Sequence, residues 1–224
     1  MPPYFRDRAD AGRHLAAALS DYADRPDVLI LALPRGGVPV AFEVARALHA
    51  PFDVFLVRKL GFPGHEEFAM GAIASGGVRI LDGEVLRMFN VPVDVIERVT
   101  EVERRELGRR ERQYRDHRPP PDVEGHTVIL IDDGLATGST MRAAVAALRK
   151  EGAKEIVVAV PVAPPETCEA LSKEVDDIIC AITPEPFRAV GLWYADFSQT
   201  TDEEVRELLE RAAREISSPA HSPH

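Results

Sequence analysis

The sequence predicts an α/β fold in which a doubly wound, mainly parallel sheet of five strands is flanked by helices. Five short, mainly apolar segments, of which Val28–Leu33 is a continuous apolar run, alternate with segments of helical periodicity. Continuous runs are typical of strands that helices cover on both faces, and this alternation is most simply satisfied by a parallel sheet. The length of 224 residues and the hydrophobic content of 45% suffice for one core. We therefore expect a single domain over residues 1–224.

The predicted elements follow one another in a regular order. A helix over residues about 9–23 precedes the first strand. A β-hairpin that turns at Gly76 and Gly77 leads into a long, charged helical segment, which three prolines end. The last helix begins at a capping box formed by Thr201 and Glu204. The five strands are predicted at 28–33, 52–57, 128–131, 156–162 and 177–182.

The composition argues against several classes of protein. A formal net charge of -10 disfavours a broad nucleic-acid-binding surface, which needs clustered positive charge. The sequence has no run of about 18 apolar residues, and its N-terminus lacks the apolar region of a signal peptide. We therefore expect a cytoplasmic protein with neither a nucleic-acid nor a membrane partner. Cys168 and Cys180 are expected to be unpaired core residues in a reducing compartment.

The segment from Val128 to Thr140, V-I-L-I-D-D-G-L-A-T-G-S-T, combines a buried strand, a tight loop and the start of a helix. Unpaired N–H groups at a helix N-terminus suit phosphate, and glycines let the backbone approach it closely. Asp132 and Asp133 suit hydroxyl groups or a hydrated cation. The segment has neither the lysine of a P-loop nor a dinucleotide-binding fingerprint. It therefore predicts a sugar-phosphate site, and the alternative is an ordinary turn with a helix cap.

Two further segments offer positive charge at the ends of strands. Pro34-Arg35-Gly36-Gly37 follows the first strand and could hold a second anionic group, although an ordinary turn would have the same composition. Arg58 and Lys59 follow the second strand, and the carboxyl ends of parallel strands face the ligand crevice. The next segment, 60–68, has two glycines that suit the hinges of a lid. Of its titratable residues, Glu67 is our first candidate for proton transfer.

Together, these segments resemble the type I phosphoribosyltransferase family. The 128–140 segment is similar to the family's motif for phosphoribosyl pyrophosphate (PRPP), and its L-A-T-G looks most like adenine phosphoribosyltransferases. R-K-L-G-F-P-G is similar to the R-K-x-G-x-x-P-G of the same enzymes. The resemblance implies transfer of ribose 5-phosphate from PRPP to a nitrogenous base or amine, with release of pyrophosphate and with Mg2+ as the cofactor.

The resemblance also implies roles for individual residues. Arg35, Lys59 and Glu67 would be catalytic. Asp132 and Asp133 would hold the ribose hydroxyls and the metal, the metal mostly through substrate and water. The residues expected to bind PRPP are Arg35, Gly36, Gly37, Arg58, Lys59, Asp132, Asp133, Gly134, Leu135, Ala136, Thr137, Gly138, Ser139 and Thr140.

In the family, a hood after the last strand selects the base. V-G-L-W-Y-A-D-F resembles the V-G-Y-A-L-D-Y of 6-oxopurine enzymes, which makes Trp193 and Asp196 candidate base-binding residues. Phe187, an aromatic residue just before this motif, is the third candidate. The alternative is a hydrophobic edge that closes the core. The domain then divides into a core at about 9–82 and 123–183, a helical insertion at about 83–118, a hood with the last helix at about 184–216 and a disordered tail at 217–224.

The acceptor stays open. In 6-oxopurine enzymes an aspartate occupies the loop position of Ala136, so a 6-oxopurine is disfavoured as the acceptor. A PRPP-binding sensor or regulator that transfers nothing is the main alternative, and a hydrolase or phosphorylase of ribosyl phosphates is another. The helical insertion would cover the site, pack on a second subunit in a homodimer, or do both.

Overall fold

The computed structural model describes residues 4–63, 65–115 and 118–217, without the side chains of 65–68 and 216–217. In the described part of the chain, no helix has the length and apolar character needed to cross a membrane. The helices are α1 (Arg8–Ala18), α2 (Gly37–Leu48), α3 (Gly83–Met88), α4 (Val93–Arg115), α5 (Ser139–Lys150), α6 (Pro165–Leu171) and α7 (Asp202–Ser217). The strands are β1 (Val28–Ala32), β2 (Phe52–Val54), β3 (Val57–Phe62), β4 (His65–Ala74), β5 (Arg79–Leu81), β6 (Thr127–Ile131), β7 (Glu155–Val162) and β8 (Asp177–Ile182).

The main sheet has five strands in the order β2-β1-β6-β7-β8, and every neighbouring pair is parallel. Strands β1 and β6 are buried at every position because helices cover both faces of the sheet. Ile30 and Ile129 face a core formed with α1, α2, α4 and α7. Leu29 and Leu130, one position away, face a second core formed with α5 and α6. The predicted doubly wound fold is therefore confirmed.

A second sheet, which is antiparallel, has the order β3-β4-β5. The predicted strand at 52–57 was too long, because β2 ends at Val54 and the chain then leaves the main sheet. The predicted loop at 60–68 was also wrong for most of its length, since β3 and β4 pair from Val57↔Ala74 to Phe62↔His65. The predicted hairpin at Gly76 and Gly77 is confirmed, with both glycines at positive φ.

The charged segment forms two helices, α3 and α4, which are separated before Pro92. Three ion pairs no longer than 3.2 Å join acids and bases four residues apart along α4, a sequence spacing that favours a helix. Helix α4 packs against β3, β4 and α7, so its inner face belongs to the fold. The three pairs are Glu101–Arg105 at 2.9 Å, Glu106–Arg110 at 2.9 Å and Glu111–Arg115 at 3.2 Å.

The cysteines are bonded to each other, so the prediction that they stay unpaired was wrong. Cys168 lies in α6 and Cys180 in β8, with sulfurs 2.08 Å apart. The two elements are consecutive along the chain, and α6 packs directly on β8. The error arose because separation into different elements was taken as separation in space.

Glu151, which follows α5, carries a buried Oε1 that has no hydrogen-bond partner within the described residues. Burial raises the pKa of Glu151 to about 7, Arg115 opposes the rise and Glu111 adds to it. The folded protein thus holds this proton more tightly than the unfolded chain does. The bound proton therefore stabilises the folded protein at low pH, and this contribution to the free energy of unfolding is lost as the pH rises from about 4.5 to about 7.

Glu151→Gln is expected to raise the free energy of unfolding by about 1 kcal/mol above pH 7, after discounting for partial exposure. Near pH 4.5 it should change little, because the folded protein then holds the carboxyl mostly protonated. Urea unfolding at pH 5 and pH 8 measures the difference. Glu169→Gln is the matched control, since its side chain is 77% exposed. The same gain at both pH values would contradict the assignment.

Candidate active site

Two loops meet at the carboxyl edge of the main sheet, where the chain departs in opposite directions from neighbouring strands. From β1 the chain runs to β2 on one side, and from β6 it runs to β7 on the other. Such a switch point is where open α/β sheets bind ligands. The loops are in direct contact, since a Cβ at Gly37 would lie 2.7 Å from the Ile131 carbonyl oxygen. A Cβ at Gly36 would lie 2.0 Å from Asp133 Oδ2.

The loop after β6 encloses a cavity of about 190 Å³ at the start of α5. Gly138 has a φ of 71°, which turns the chain into the helix and which a residue with a side chain adopts only with strain. Neighbouring groups hold the loop, because Thr167 Oγ1 donates to the Ala136 carbonyl at 2.8 Å and Arg142 donates to the Thr137 carbonyl at 2.9 Å. The cavity is lined by Asp132, Gly134, Leu135, Ala136, Thr137, Gly138, Ser139, Thr140 and Met141.

The cationic side chains predicted for the site contact different parts of the structure. Lys59 Nζ donates to Ser139 Oγ at 2.8 Å and so reaches the first residue of α5. Arg58 instead pairs with Glu103 of α4 at 2.7 Å. The two side chains separate because successive residues of a strand point to opposite faces, and both lie in β3. Arg35 lies 4.0 Å from Asp202 Oδ1 at the start of α7.

The two carboxylates occupy different surroundings. Burial raises the pKa of Asp132, the negative charge of Asp133 raises it further, and its Oδ1 accepts the Asp133 N–H at 2.8 Å. Burial also raises the pKa of Asp133, but the Arg8 guanidinium opposes that rise. Asp132 is therefore the more readily protonated of the two, and Arg8 favours the charged form of Asp133.

Arg8 of α1 is a site residue that sequence reasoning missed. Its Nε donates to Asp133 Oδ2 at 2.8 Å, and its guanidinium lies 4.0 Å from the centre of the Phe197 ring. The Tyr194 hydroxyl donates to the Asp133 carbonyl at 2.5 Å, so the N-terminal helix and the C-terminal segment both fix this residue. No local pattern separates Arg8 from Arg6, yet the Arg8 side chain is 11% exposed and that of Arg6 is 75% exposed.

The chain was compared with known proteins. The family model described as "Phosphoribosyl transferase domain" matches residues 5–192. This chain belongs to the phosphoribosyl transferase family. It is 43% identical over 213 residues to a Mycobacterium tuberculosis protein provisionally named a phosphoribosyl transferase, a match that covers 95% of the chain and 48% of that relative. The chain thus spans about half the length of this curated relative.

The chain is also similar to a solved structure and, over a shorter segment, to a named enzyme. Protein TT1426 of Thermus thermophilus superposes on this phosphoribosyl transferase chain with a TM-score of 0.83 and 43% identity, over 94% of the chain and 99% of TT1426. A uracil phosphoribosyltransferase of Lactobacillus gasseri is 44% identical over 59 residues, which is 26% of the chain and 28% of that enzyme. The family resemblance of the sequence motifs is therefore confirmed.

Two of the three candidate hood residues of the phosphoribosyl transferase chain pack in one cluster, and the third lies outside it. Phe187 and Trp193 pack in a cluster around Phe5 and Tyr194 at the edge of the sheet. Asp196 lies on the surface, where its carboxylate accepts the Ser198 N–H at 2.9 Å. This packing is the arrangement expected of a hydrophobic edge. The backbone of Glu67 belongs to β4, and its side chain lies outside the described residues.

The carboxylates fit a Mg2+ ion that arrives with its substrate. Within the described ranges, no three His, Cys, Asp or Glu side chains cluster in a way that could hold a metal. Asp132 and Asp133 offer carboxylate oxygens, the donors that Mg2+ prefers. Since Arg8 engages one oxygen of Asp133, the protein can supply few direct ligands. Such a site suits Mg2+ because the ion keeps several waters and binds substrate phosphates.

Proposed function

We propose that the chain transfers ribose 5-phosphate from PRPP to a nitrogenous base or amine, in a Mg2+-dependent reaction that releases pyrophosphate. The observation that carries the proposal is the direct contact between Gly36 and Asp133. It places a carboxylate pair between the cavity at the start of α5 and the loop of Arg35, Gly36 and Gly37. A ribose with phosphate groups at both ends would be complementary to this order, with its hydroxyls facing the carboxylates and a phosphate group at either side.

The two ends of PRPP would bind differently. The N–H groups and hydroxyls from Thr137 to Thr140 would hold the 5-phosphate at the helix N-terminus. Asp132 and Asp133 would accept hydrogen bonds from the ribose hydroxyls. Arg35, with the backbone of Gly36 and Gly37, would bind the pyrophosphate, and Arg58 would add charge from β3. Lys59 already contacts Ser139 and would bridge the two ends.

The transition state would be oxocarbenium-like, with negative charge growing on the departing pyrophosphate. Arg35 and Lys59 would stabilise that charge, since preorganised cations act most strongly where charge develops. Mg2+, when bound with the substrate near Asp132 and Asp133, supplies further neutralising charge. Glu67 remains the proposed proton-transfer group, and exclusion of water would protect the intermediate from hydrolysis.

The acceptor is proposed as a class only. Ala136 stands at the loop position where 6-oxopurine enzymes carry an aspartate, so the proposed acceptor should not depend on proton transfer from that position. Uracil should be among the acceptors tested, because one relative that matches over 59 residues is named a uracil phosphoribosyltransferase. Phe187 and Trp193 pack into the edge cluster rather than forming a separate hood. That packing favours a PRPP-binding sensor as the second candidate function.

Pyrophosphate release from Mg-PRPP, measured across a panel of purines, pyrimidines and simple amines, is expected to rise with at least one acceptor. Asp132→Asn should lower the rate at least about tenfold, whereas Asp94→Asn, at a 75% exposed side chain, should not. PRPP binding measured by calorimetry without turnover on any acceptor would instead support the sensor. No PRPP binding, with Asp132→Asn and Asp133→Asn indistinguishable from the parent protein, would exclude both functions.

A further inference from the structure

We propose that Arg110 of α4 is a further binding residue for the pyrophosphate end of PRPP, supplied by the helical insertion. The inference rests on the proposed function and extends it to a helix outside the loops that carry the family motifs. It gives the charged helix a direct part in substrate binding.

A small cavity of about 40 Å³ carries the argument. It lies beside the residues that follow β1 and β2, and four separate parts of the chain meet there. Pro34 precedes the predicted pyrophosphate loop, Thr140 belongs to the predicted phosphate loop, Arg58 comes from β3 and Arg110 comes from α4. The cavity has room for a few waters or the oxygens of one phosphate group, but not for a base.

Two guanidinium groups therefore line one small space between the predicted anion-binding loops. Each is held by an acid of α4, Arg58 by Glu103 at 2.7 Å and Arg110 by Glu106 at 2.9 Å. Glu106 also binds Arg109 at 2.8 Å, and these two arginines lower the pKa of Glu106 to about 2. One carboxylate thus serves two guanidiniums, which leaves positive charge that an anion can satisfy.

Helix α4 is fixed at the same end of the sheet as Arg35. Tyr114, one turn beyond Arg110, donates its hydroxyl to Asp202 Oδ1 at 2.5 Å. The pKa of Asp202 is lowered chiefly by that hydrogen bond, and the charges of Arg35 and Arg110 lower it further. Both arginines therefore lie within electrostatic range of one carboxylate. Arg110 remains accessible, with its side chain 41% exposed.

The test compares Arg110→Gln with Arg109→Gln, its matched control. Both arginines pair with Glu106, Arg109 through two hydrogen bonds and Arg110 through one, so Arg109→Gln takes at least as much from that acid as Arg110→Gln does. Only Arg110 lines the cavity. The probes are Mg-pyrophosphate, Mg-PRPP and ribose 5-phosphate, with dissociation constants measured by calorimetry. Arg110→Gln is expected to weaken binding of the first two about tenfold or more and of ribose 5-phosphate less than about twofold. Arg110→Lys should recover part of the loss, and Arg109→Gln should leave all three within about twofold.

Every other pattern overturns the inference. Equal effects of Arg110→Gln and Arg109→Gln would show that the change acts through Glu106. Equal weakening of ribose 5-phosphate would assign Arg110 to the other end of the substrate. A parent protein that binds neither PRPP nor pyrophosphate would overturn the proposed function as well. If the parent protein binds PRPP and pyrophosphate and Arg110→Gln binds them equally well, only this inference is overturned. Thermal unfolding of each variant checks that the fold is retained.

Discussion

Replacing Gly36 by alanine is expected to weaken PRPP binding about 100-fold while the fold is retained. The new Cβ would lie 2.0 Å from Asp133 Oδ2 and 2.6 Å from its Cγ, so the carboxylate or the loop must move. Asp133 cannot swing aside freely, because Arg8 Nε holds the same oxygen at 2.8 Å. The backbone of Gly36, with φ -61° and ψ -34°, suits alanine, so the effect is one of close approach alone.

Calorimetric titration with Mg-PRPP measures the affinity, and circular dichroism with urea unfolding checks the fold. Gly108→Ala is the control, because its Cβ would meet nothing nearer than the tip of Arg112 at 3.4 Å, inside α4. Alanine there should leave PRPP binding unchanged and favour the helix slightly. Unchanged PRPP affinity in Gly36→Ala would show that the contact between the two loops has no part in binding.

Arg8→Ala is expected to lower the free energy of unfolding by about 3 kcal/mol, because it leaves the buried carboxyl group of Asp133 without its partner. The side chains of Arg8 and Asp133 are only 11% and 15% exposed, so water compensates little. The substitution also removes the contact with the Ser198 carbonyl and the packing over Phe197. We expect weaker PRPP binding in addition, since nothing else described holds Asp133 Oδ2 against the loop of Gly36.

Urea unfolding at pH 7 measures this loss. Arg6→Ala is the control in the same segment, with a 75% exposed side chain and a cost of less than about 0.5 kcal/mol. Combining Arg8→Ala with Asp133→Asn should cost less than the sum of the two single changes, because no unpaired charge then remains. Additive costs, or equal effects at Arg8 and Arg6, would contradict a structural role for the pair.

The main sheet could be predicted because its strands are short, mainly apolar segments between helical ones. The run at 128–131 and the small residues after it specify strand, turn and helix within one short segment, so β6 and α5 follow from local sequence. The point after β2 at which the chain leaves the main sheet could not be predicted from local sequence. Phe55 and Leu56 continue the apolar pattern although they belong to no strand, and both are buried where the two sheets meet.

The site was predictable where its chemistry is local and not where it depends on distant partners. The glycines and carboxylates of the two loops could be recognised as site residues from their residue types and spacing. Arg8 meets Asp133 across 125 residues of chain, and Arg58 meets Glu103 across 45. From sequence alone, a charged residue is interpreted as solvent-exposed, because a partner that is distant along the chain is not visible until the fold is known. The same reason explains the missed bond between Cys168 and Cys180.

The pairing of β3 with β4 has a consequence for the thermodynamics of binding. A segment that is a flexible loop before substrate arrives loses about 1–2 kcal/mol of backbone entropy for each residue that becomes ordered. Here the backbone from Val57 to Phe62 is already paired with β4, and Lys59 already rests on Ser139. The backbone of Val57 to Phe62 has therefore lost its conformational entropy during folding, before substrate arrives. The chain should therefore bind its substrate with a smaller entropic penalty than a member of the family whose corresponding segment orders only on contact.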